Sequence, residues 1–191
     1  MNREEGFIGT AMRKDEFVSD CSDIDDIIVF KEDGTMQVVK IDGKVFVGKG
    51  IIHCAVFKKK DDRTIYNMIY KDGKTGVSYI KRFNVTGVTR DKLYNLTYDH
   101  PKSKVLHFSA NPNGEGEVVT IQLRHNGSIK KLKWDLDFAD LTIKGRSVKG
   151  NIVSKHAVNK VIFKEKGLST LKPRKIWFDD TVQRLNVDNR G

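Results

Sequence analysis

A recurring β-hairpin pattern is the feature of this sequence that most restricts its possible folds. An Asp-Gly or Asn-Gly pair, the strongest short-range hairpin signal, separates two runs of alternating apolar residues in three of the four copies. The pattern predicts these hairpins: Ile28–Phe30 with Met36–Ile41, Ile65–Tyr70 with Val77–Phe83, Val118–Leu123 with Ile129–Leu136, and Lys175–Phe178 with Val182–Val187.

The spacing of the hairpins indicates a repeat architecture. They begin at residues 28, 65, 118 and 175, at intervals of 37, 53 and 57 residues. Such periods are typical of solenoids, propellers and arrays, in which each repeat is one supersecondary unit. Because every repeat here is β, we predict an all-β, propeller-like fold of about five four-stranded blade-like units. Residues 2–23 and the last hairpin look like incomplete units, which could pair to close the disc.

The composition fits one basic, water-soluble body. A chain of 191 residues is long enough to bury a core, and we expect residues 1–191 to form a single, monomeric domain. No stretch approaches the roughly 20 apolar residues of a membrane helix, and Met1–Glu5 has no apolar signal-peptide core. Cys21 and Cys54 are too few for a disulfide framework. We therefore expect a cytoplasmic protein with no membrane partner.

The net charge of +10, from 35 Lys and Arg against 25 Asp and Glu, is compatible with a nucleic acid or another anionic partner. A basic stretch follows each hairpin. In the second copy, Lys81-Arg82 at the end of the hairpin is counted with the basic residues of that stretch. Cations at matching places in successive blades would form a curved track for a bent duplex held by its phosphates. The candidate DNA contacts, in order of preference, are Arg146, Lys149, Lys144, Lys49, Arg90 and Lys92, then Lys131 and Lys133, with Arg13 and Lys14 near the N-terminus.

Strand alternation assigns the side chains of the third hairpin to two faces. Between Ile129 and Leu136, the residues Leu132, Trp134 and Leu136 fall on one face, and Lys131, Lys133 and Asp135 fall on the other. We therefore interpret Trp134 as a core residue rather than as a platform for stacking bases.

Four stretches carry a resemblance to a known family: Ile24–Phe30, Gly127–Leu132, Gly145–Gly150 and Ile176–Asp180. From Gly6 to Gly191 the chain resembles the C-terminal domain of the A subunit of bacterial type IIA topoisomerases, the gyrase and topoisomerase IV group. It is most similar to the Bacteroidetes type of topoisomerase IV. The resemblance implies a β-pinwheel, a propeller-like disc whose blades exchange strands and whose basic rim binds and bends duplex DNA.

The resemblance also implies partners and a cellular setting. The chain would be the C-terminal domain of a larger subunit in an ATP-dependent enzyme. It would present the transported duplex to an N-terminal cleavage core, which works together with an ATPase B subunit, at the bacterial nucleoid. The A subunits of gyrases carry a Gln-Arg-Arg-Gly-Gly-Lys-Gly box that wraps DNA, and Gly145–Gly150 is only a degenerate relative of it. This departure favours topoisomerase IV and puts full chiral wrapping in doubt.

We predict no catalytic residue, metal site or cofactor. Strand cleavage in the resembled family uses a tyrosine next to an arginine, in another domain, and no Arg-Tyr pair occurs here. Asp72–Thr75 has the end of a phosphate-binding loop without its upstream glycine, so that a hairpin turn explains it better. The histidines and the two cysteines have no ligand spacing.

Two other functions use the same fold. A β-propeller scaffold would bind acidic partner proteins and would show no dependence on DNA length. A propeller enzyme or a sugar-binding lectin would need carboxylates that converge on a central channel, and the acidic residues of this chain fall mostly in turns.

The double substitution Arg146→Ala with Lys149→Ala tests the first candidates. We expect it to weaken DNA binding on every sequence and to reduce the dependence of affinity on salt, because phosphate contacts carry no sequence information. Titrations of random-sequence duplexes at several salt concentrations would measure both effects. An unchanged salt slope in a folded variant would remove this segment from the DNA track.

Overall fold

The computed structural model is all-β apart from one 3₁₀ turn at Phe138–Asp140, and it describes residues 1–12, 15–125, 127, 129–179 and 184–188. Within those ranges, no helix is long and apolar enough to cross a bilayer. The strands are β1 (Phe7–Ile8), β2 (Asp26–Lys31), β3 (Thr35–Lys40), β4 (Val45–Phe46), β5 (Ile51–Phe57), β6 (Ile65–Lys71), β7 (Ser78–Asn84), β8 (Tyr94–Asn95), β9 (Lys104–Asn111), β10 (Glu115–Leu123), β11 (Lys133–Asp137), β12 (Lys144–Gly145), β13 (Asn151–Ser154), β14 (Val158–Ser169), β15 (Lys175–Asp179) and β16 (Arg184–Asp188).

All four predicted hairpins are confirmed as antiparallel pairs: β2–β3, β6–β7, β10–β11 and β15–β16. The first turn is closed by Asp33, whose carboxylate accepts from the backbone N–H of Thr35 at 2.9 Å and from its hydroxyl at 2.6 Å. Gly34 follows with φ of +82°, in the left-handed region that favours glycine. In the third hairpin the second strand begins at Lys133, later than the predicted Ile129.

Each of the first three hairpins gains a further strand beside its first strand. β5 pairs with β2, β9 pairs with β6, and β14 pairs with β10, all antiparallel. We call the sheet built on β2–β3 the first blade, the sheet on β6–β7 the second blade and the sheet on β10–β11 the third blade. These three sheets form the body of the molecule.

Successive blades exchange strands. β8 follows the second hairpin in sequence but pairs with β3 of the first blade, through Met36 opposite Tyr94. β12 and β13 follow the third hairpin and pair with β7 of the second blade. β4 follows the first hairpin and pairs with β1 at the N-terminus. We call β4, β8 and β12 the exchange strands.

This exchange confirms the all-β, propeller-like pinwheel. The described residues form five sheets, but their sizes are two, four, five, three and two strands, rather than a uniform four. The terminal pairs β1–β4 and β15–β16 are the incomplete units, and within the described part of the chain no ladder joins one to the other. In β15, the residues Ile176, Trp177 and Phe178 are each more than half exposed.

Three apolar clusters hold the sheets face to face. Ile27 and Val29 of β2 pack towards the N-terminal strands, while Ile28 and Phe30 pack against the second blade. The third cluster joins the second and third blades; it contains Ile69, Ile80, Val119, Ile121, Leu123 and Phe138, with Trp134 and Leu136 packed against them. Trp134 is therefore a packing residue, as its strand face predicted. Strands with apolar residues on both faces are central because each face meets another sheet.

Substitution of Phe30 tests the contact between the first and second blades. Phe30 is 1% exposed, and its ring centroid lies 4.6 Å from those of both Tyr66 and Phe108. We expect Phe30→Ala to lower the free energy of unfolding by about 3–5 kcal/mol, through lost burial and the cavity left behind. The matched control is Phe17→Ala, because the Phe17 side chain is 77% exposed and its loss should cost less than about 0.5 kcal/mol. Denaturant unfolding of both variants makes the comparison, and equal losses would contradict this packing.

Candidate nucleic-acid interface

A surface lysine stands at the start of each exchange strand. Lys44 directly precedes β4, Lys92 lies two residues before β8, and Lys144 is the first residue of β12. All three are exposed. β4 and β8 pair antiparallel with β1 and β3, whereas β12 pairs parallel with β7, so the three lysines share a place at the start of their strands but not one ladder geometry. Lys92 and Lys144 were predicted DNA contacts, whereas Lys44 was not among them.

Aromatic rings hold several of these cations at the surface. The Lys44 ammonium lies 4.2 Å from the centroid of the Phe7 ring. Tyr94 of β8 contacts two cations, with the Lys92 ammonium at 5.4 Å and the Arg146 guanidinium at 4.4 Å from the ring centroid. Cations over ring faces gain about 0.5–1 kcal/mol at exposed sites, and this attraction limits the freedom of the long side chains. The charges are thus partly ordered before any partner arrives.

The Gly145–Gly150 segment is fastened to the second blade through its backbone. The buried Lys81 ammonium donates to the carbonyls of Arg146 at 2.7 Å and Val148 at 2.8 Å, and the Tyr70 hydroxyl donates to the carbonyl of Lys149 at 2.8 Å. Gly150 has φ of +100°, and a Cβ there would lie 2.4 Å from the Ile80 carbonyl oxygen. Only glycine allows this close approach to β7.

Arg146 and Lys149, the two strongest candidates from sequence, both make contacts within the protein. The Arg146 guanidinium donates to the Gly87 carbonyl at 2.7 Å, and the Lys149 ammonium donates to the Thr97 carbonyl. Both residues are half-buried. Their contact with DNA stays a prediction, and the double alanine variant also removes bonds that hold this segment in place.

The placement of Lys81-Arg82 on the rim is wrong, because both residues are buried, at 4% and 2% exposure. They are neighbours in β7, so they point to opposite faces of the second blade. Lys81 faces the first blade, where it also donates to the Leu96 carbonyl at 2.9 Å, and Arg82 donates to the Gly114 carbonyl at 2.8 Å. The sequence signal that reveals Lys81 is its position between Tyr79 and Phe83, two aromatic residues on the same strand face.

Burial lowers the pKa of Lys81 to about 7, and repulsion from the Lys149 ammonium acts in the same direction. The three carbonyl acceptors oppose this effect, because hydrogen bonds to the charged form favour it. Lys81 links the residue after β8 with the segment after β12. One buried ammonium therefore fixes two exchange strands relative to β7.

The remaining candidates differ in their freedom to bind a phosphate. Lys49 is exposed between Gly48 and Gly50, and Lys131 and Lys133 are exposed near and in β11; within the described ranges these three have no ion-pair partner. Arg90 is paired with Asp26, at 2.9 Å between Nε and Oδ1. Arg13 and Lys14 lie outside the described residues.

The tyrosines serve packing or surface contacts. Tyr66 and Tyr70 are buried between the first and second blades, and burial raises the pKa of both phenols well above the usual value. A raised pKa disfavours the phenolate, which is the nucleophilic form. Across the ranges that the structure describes, no group of three or more His, Cys, Asp and Glu residues is placed to hold a metal ion.

Strand exchange between successive blades places this chain in the class of propeller-like β-pinwheel domains. The family described as "Topoisomerase C-terminal domain, Bacteroidota" matches residues 1–166, and the chain belongs to that family. Hairpin β15–β16 lies beyond the matched residues.

The similarity of the chain to one relative agrees with this family assignment. The chain is 27% identical over 165 residues to the A subunit of DNA topoisomerase 4 from Borreliella burgdorferi; the match covers 86% of this chain and 24% of that protein. The chain thus spans about a quarter of the length of this relative. No solved structure matches the chain.

The buried ammonium of Lys81 predicts a specific pH dependence of stability. Its pKa is about 7 in the folded protein, against an ordinary value of 10.5 once the chain unfolds, so the unfolded chain binds more protons between these values. The free energy of unfolding should therefore rise with pH from 7 to 9, by up to about 1.4 kcal/mol per pH unit, relative to Lys81→Met. Lys133→Met, which removes an exposed lysine, should follow the wild-type protein. Denaturant unfolding at several pH values makes the measurement, and parallel curves for wild type and Lys81→Met would disprove this assignment.

Proposed function

We propose that this domain binds duplex DNA without sequence preference and bends it along the lysines of the exchange strands. The observation that carries the proposal is the exposed lysine at the start of each exchange strand, Lys44, Lys92 and Lys144. An exposed lysine on each of three successive exchange strands gives each of these units a positive charge in contact with water. The phosphates of a duplex offer a matching, regularly spaced row of negative charge.

The family and the charge support this proposal. The domain belongs to a family of topoisomerase C-terminal domains, and the relative from Borreliella burgdorferi is part of a DNA topoisomerase. The whole chain has a net charge of +10. Lysines that neutralise phosphates release condensed counterions, so affinity should fall steeply with salt and depend little on base sequence.

We propose bending because successive blades of a propeller-like fold are arranged around a disc, so that a track passing from blade to blade is curved. Smoothly bending a site of 20–30 bp by 40–90° costs on the order of 1–6 kcal/mol, which additional phosphate contacts on a curved surface can offset. We infer that Lys44, Lys92 and Lys144 form the centre of the track, with Lys49 beside the first of them. Arg146 and Lys149 shape the Gly145–Gly150 segment and contribute positive potential from partly buried positions.

In the parent enzyme, we infer a type IIA topoisomerase of the topoisomerase IV kind. The domain would hold the transported duplex and present it to the cleavage core, while the core and the ATPase B subunit carry out the chemistry. It would contribute binding and selection of DNA crossings rather than catalysis. This role places the protein in the cytoplasm, at the nucleoid.

The triple substitution of Lys44, Lys92 and Lys144 by Gln tests the track. Each lost phosphate contact removes about 0.9 from the slope of log affinity against log salt, so the slope should fall by roughly 2 to 3. Titrations on random-sequence duplexes of increasing length measure affinity and slope, and energy transfer between labelled duplex ends measures bending. We expect affinity to rise with duplex length to a plateau in the wild-type protein.

The matched control removes three exposed lysines that are not on exchange strands, Lys59, Lys102 and Lys172. This control variant loses the same net charge as the variant of Lys44, Lys92 and Lys144. Its slope of log affinity against log salt should fall by less. Equal losses in the two triple variants would show that only net charge matters and would contradict the track. No DNA binding at low salt would overturn the proposed function itself and favour a scaffold for acidic proteins.

A further inference from the structure

A cavity of about 310 Å³ lies between the first and second blades, beside the loop that joins β5 to β6. Its walls include His53, Ala55 and Phe57 of β5, Tyr66 of β6 and Ala110 of β9, and none of its lining residues belongs to the terminal pairs β1–β4 and β15–β16. Alternation along β5 places the small Ala55 side chain between two large ones on the same strand face, which leaves the space open. Ligand sites commonly measure roughly 300–1,000 Å³, so this cavity suits a small molecule.

Aromatic rings support the wall of the cavity. The centroid of the His53 ring lies 5.6 Å from that of Phe108 and 6.2 Å from that of Tyr66. The Tyr66 ring in turn lies 4.6 Å from Phe30, which is buried between the two blades. Because these rings pack against one another, their positions are set by the fold before any ligand arrives. They offer flat apolar surfaces against which another planar ring can pack.

Two polar groups in the wall lack a partner in the protein. Tyr66 is 5% exposed, and among the described residues neither its hydroxyl nor the His53 ring has a side-chain hydrogen bond. Burial lowers the pKa of His53 to about 4, and the charge of Arg3 acts in the same direction. The imidazole is therefore neutral near pH 7, with one N–H donor and one acceptor nitrogen. A buried hydroxyl without a partner is costly, so both groups favour a ligand whose edge can donate and accept.

The edge of the cavity formed by the β5–β6 loop, which we call the mouth, is positively charged. Lys58 lines the cavity, and residues 58–60 are three consecutive exposed lysines. The one carboxylate in the lining belongs to Asp61. It accepts from the backbone N–H of Arg63 at 2.8 Å and from the hydroxyl of Thr64 at 2.6 Å, so dipoles of its own loop compensate its charge. The mouth therefore favours an anionic group.

We propose that this cavity binds a planar aromatic ring that carries an anionic group, the chemistry of a nucleoside monophosphate. The base lies inside, against the rings of His53, Phe57 and Tyr66, and its polar edge bonds to the Tyr66 hydroxyl and the His53 imidazole. The phosphate lies at the mouth beside Lys58. A free nucleotide and the unpaired terminal nucleotide of a DNA strand both present this chemistry.

The chemistry of the cavity disfavours other occupants. The interior of a duplex cannot enter it, because paired and stacked bases do not present a single ring. An aliphatic molecule would leave the Tyr66 hydroxyl and the Lys58 ammonium without partners. A cationic ligand would meet the three lysines of the mouth.

The cavity is separate from the proposed DNA track, because Lys44, Lys92 and Lys144 do not line it. Binding of a nucleotide therefore stands or falls independently of duplex binding. The two can be measured separately on the same protein.

Adenosine monophosphate is the probe, titrated into the full chain and followed by NMR. We expect a dissociation constant of roughly 0.1–1 mM and shifts of the His53 and Tyr66 ring resonances. Adenosine, which lacks the phosphate, should bind about tenfold more weakly, and ribose 5-phosphate, which lacks the ring, should not bind. Tyr66→Phe removes only the hydroxyl and should weaken binding about five- to tenfold. Ala55→Leu fills the cavity and should abolish binding.

Lys58→Gln should weaken the nucleotide and reduce its dependence on salt. The matched control is Lys102→Gln, which removes an exposed lysine outside the cavity and should bind the nucleotide like the wild type. Tyr66→Phe and Ala55→Leu should bind duplex DNA like the wild type, which also shows that they fold. If Ala55→Leu does not fold, Tyr66→Phe decides.

The outcomes separate the sources of the ligand and test the site. Displacement of the nucleotide by a short single strand with a 5′-phosphate supports the site and assigns it to strand ends, and displacement by free nucleotides alone supports it as a site for the free ligand. The proposal is overturned if adenosine monophosphate does not bind at about 10 mM or binds Tyr66→Phe and Ala55→Leu as well as the wild type. Equal binding of ribose 5-phosphate also overturns it, since the lysines then collect phosphate without the cavity.

Discussion

The constraint on which this structure depends is the pairing of strand edges between successive blades. A hairpin leaves the N–H and carbonyl groups of its outer strand without partners, and an open edge of this kind invites uncontrolled pairing. Here the chain closes the edge of β3 with β8 and the edge of β7 with β12 and β13. Each of these two blades is therefore completed by the unit that follows it. This dependence carries the exchange strands, with their exposed lysines, onto the edge of a neighbouring sheet, antiparallel for β4 and β8 and parallel for β12.

The cations of the domain form two populations with different physical roles. Lys81 and Arg82 are buried and donate to backbone carbonyls, so their N–H groups hold segments of the chain together. Lys44, Lys92 and Lys144 keep their ammonium groups in water, where they can exchange counterions for phosphate. The buried population supports the exposed one, because Lys81 fixes the residues that follow β8 and β12. A net charge alone would not distinguish these roles.

The third blade differs from the first two because its β11 edge is unpaired within the described residues. The same edge lies beside an apolar groove with a lysine border. In the first two blades the strand at this position comes from the segment after the next hairpin, and for the third blade that segment follows β16.

The sequence by itself determined the hairpins, the all-β class and the packing role of Trp134. These depend on turn residues such as Asp33-Gly34 and on alternation along one strand, which are local properties. Only the tertiary structure decided which strands are exchanged and which lysines are free. Lys81 and Lys144 are both basic in the sequence. Lys81 is buried between two blades, whereas Lys144 is the exposed first residue of an exchange strand. Tyr79 and Phe83 mark the strand face of Lys81 as apolar, but its carbonyl partners, such as those of Leu96 and Val148, come from residues far away in the chain and are not specified by that local pattern.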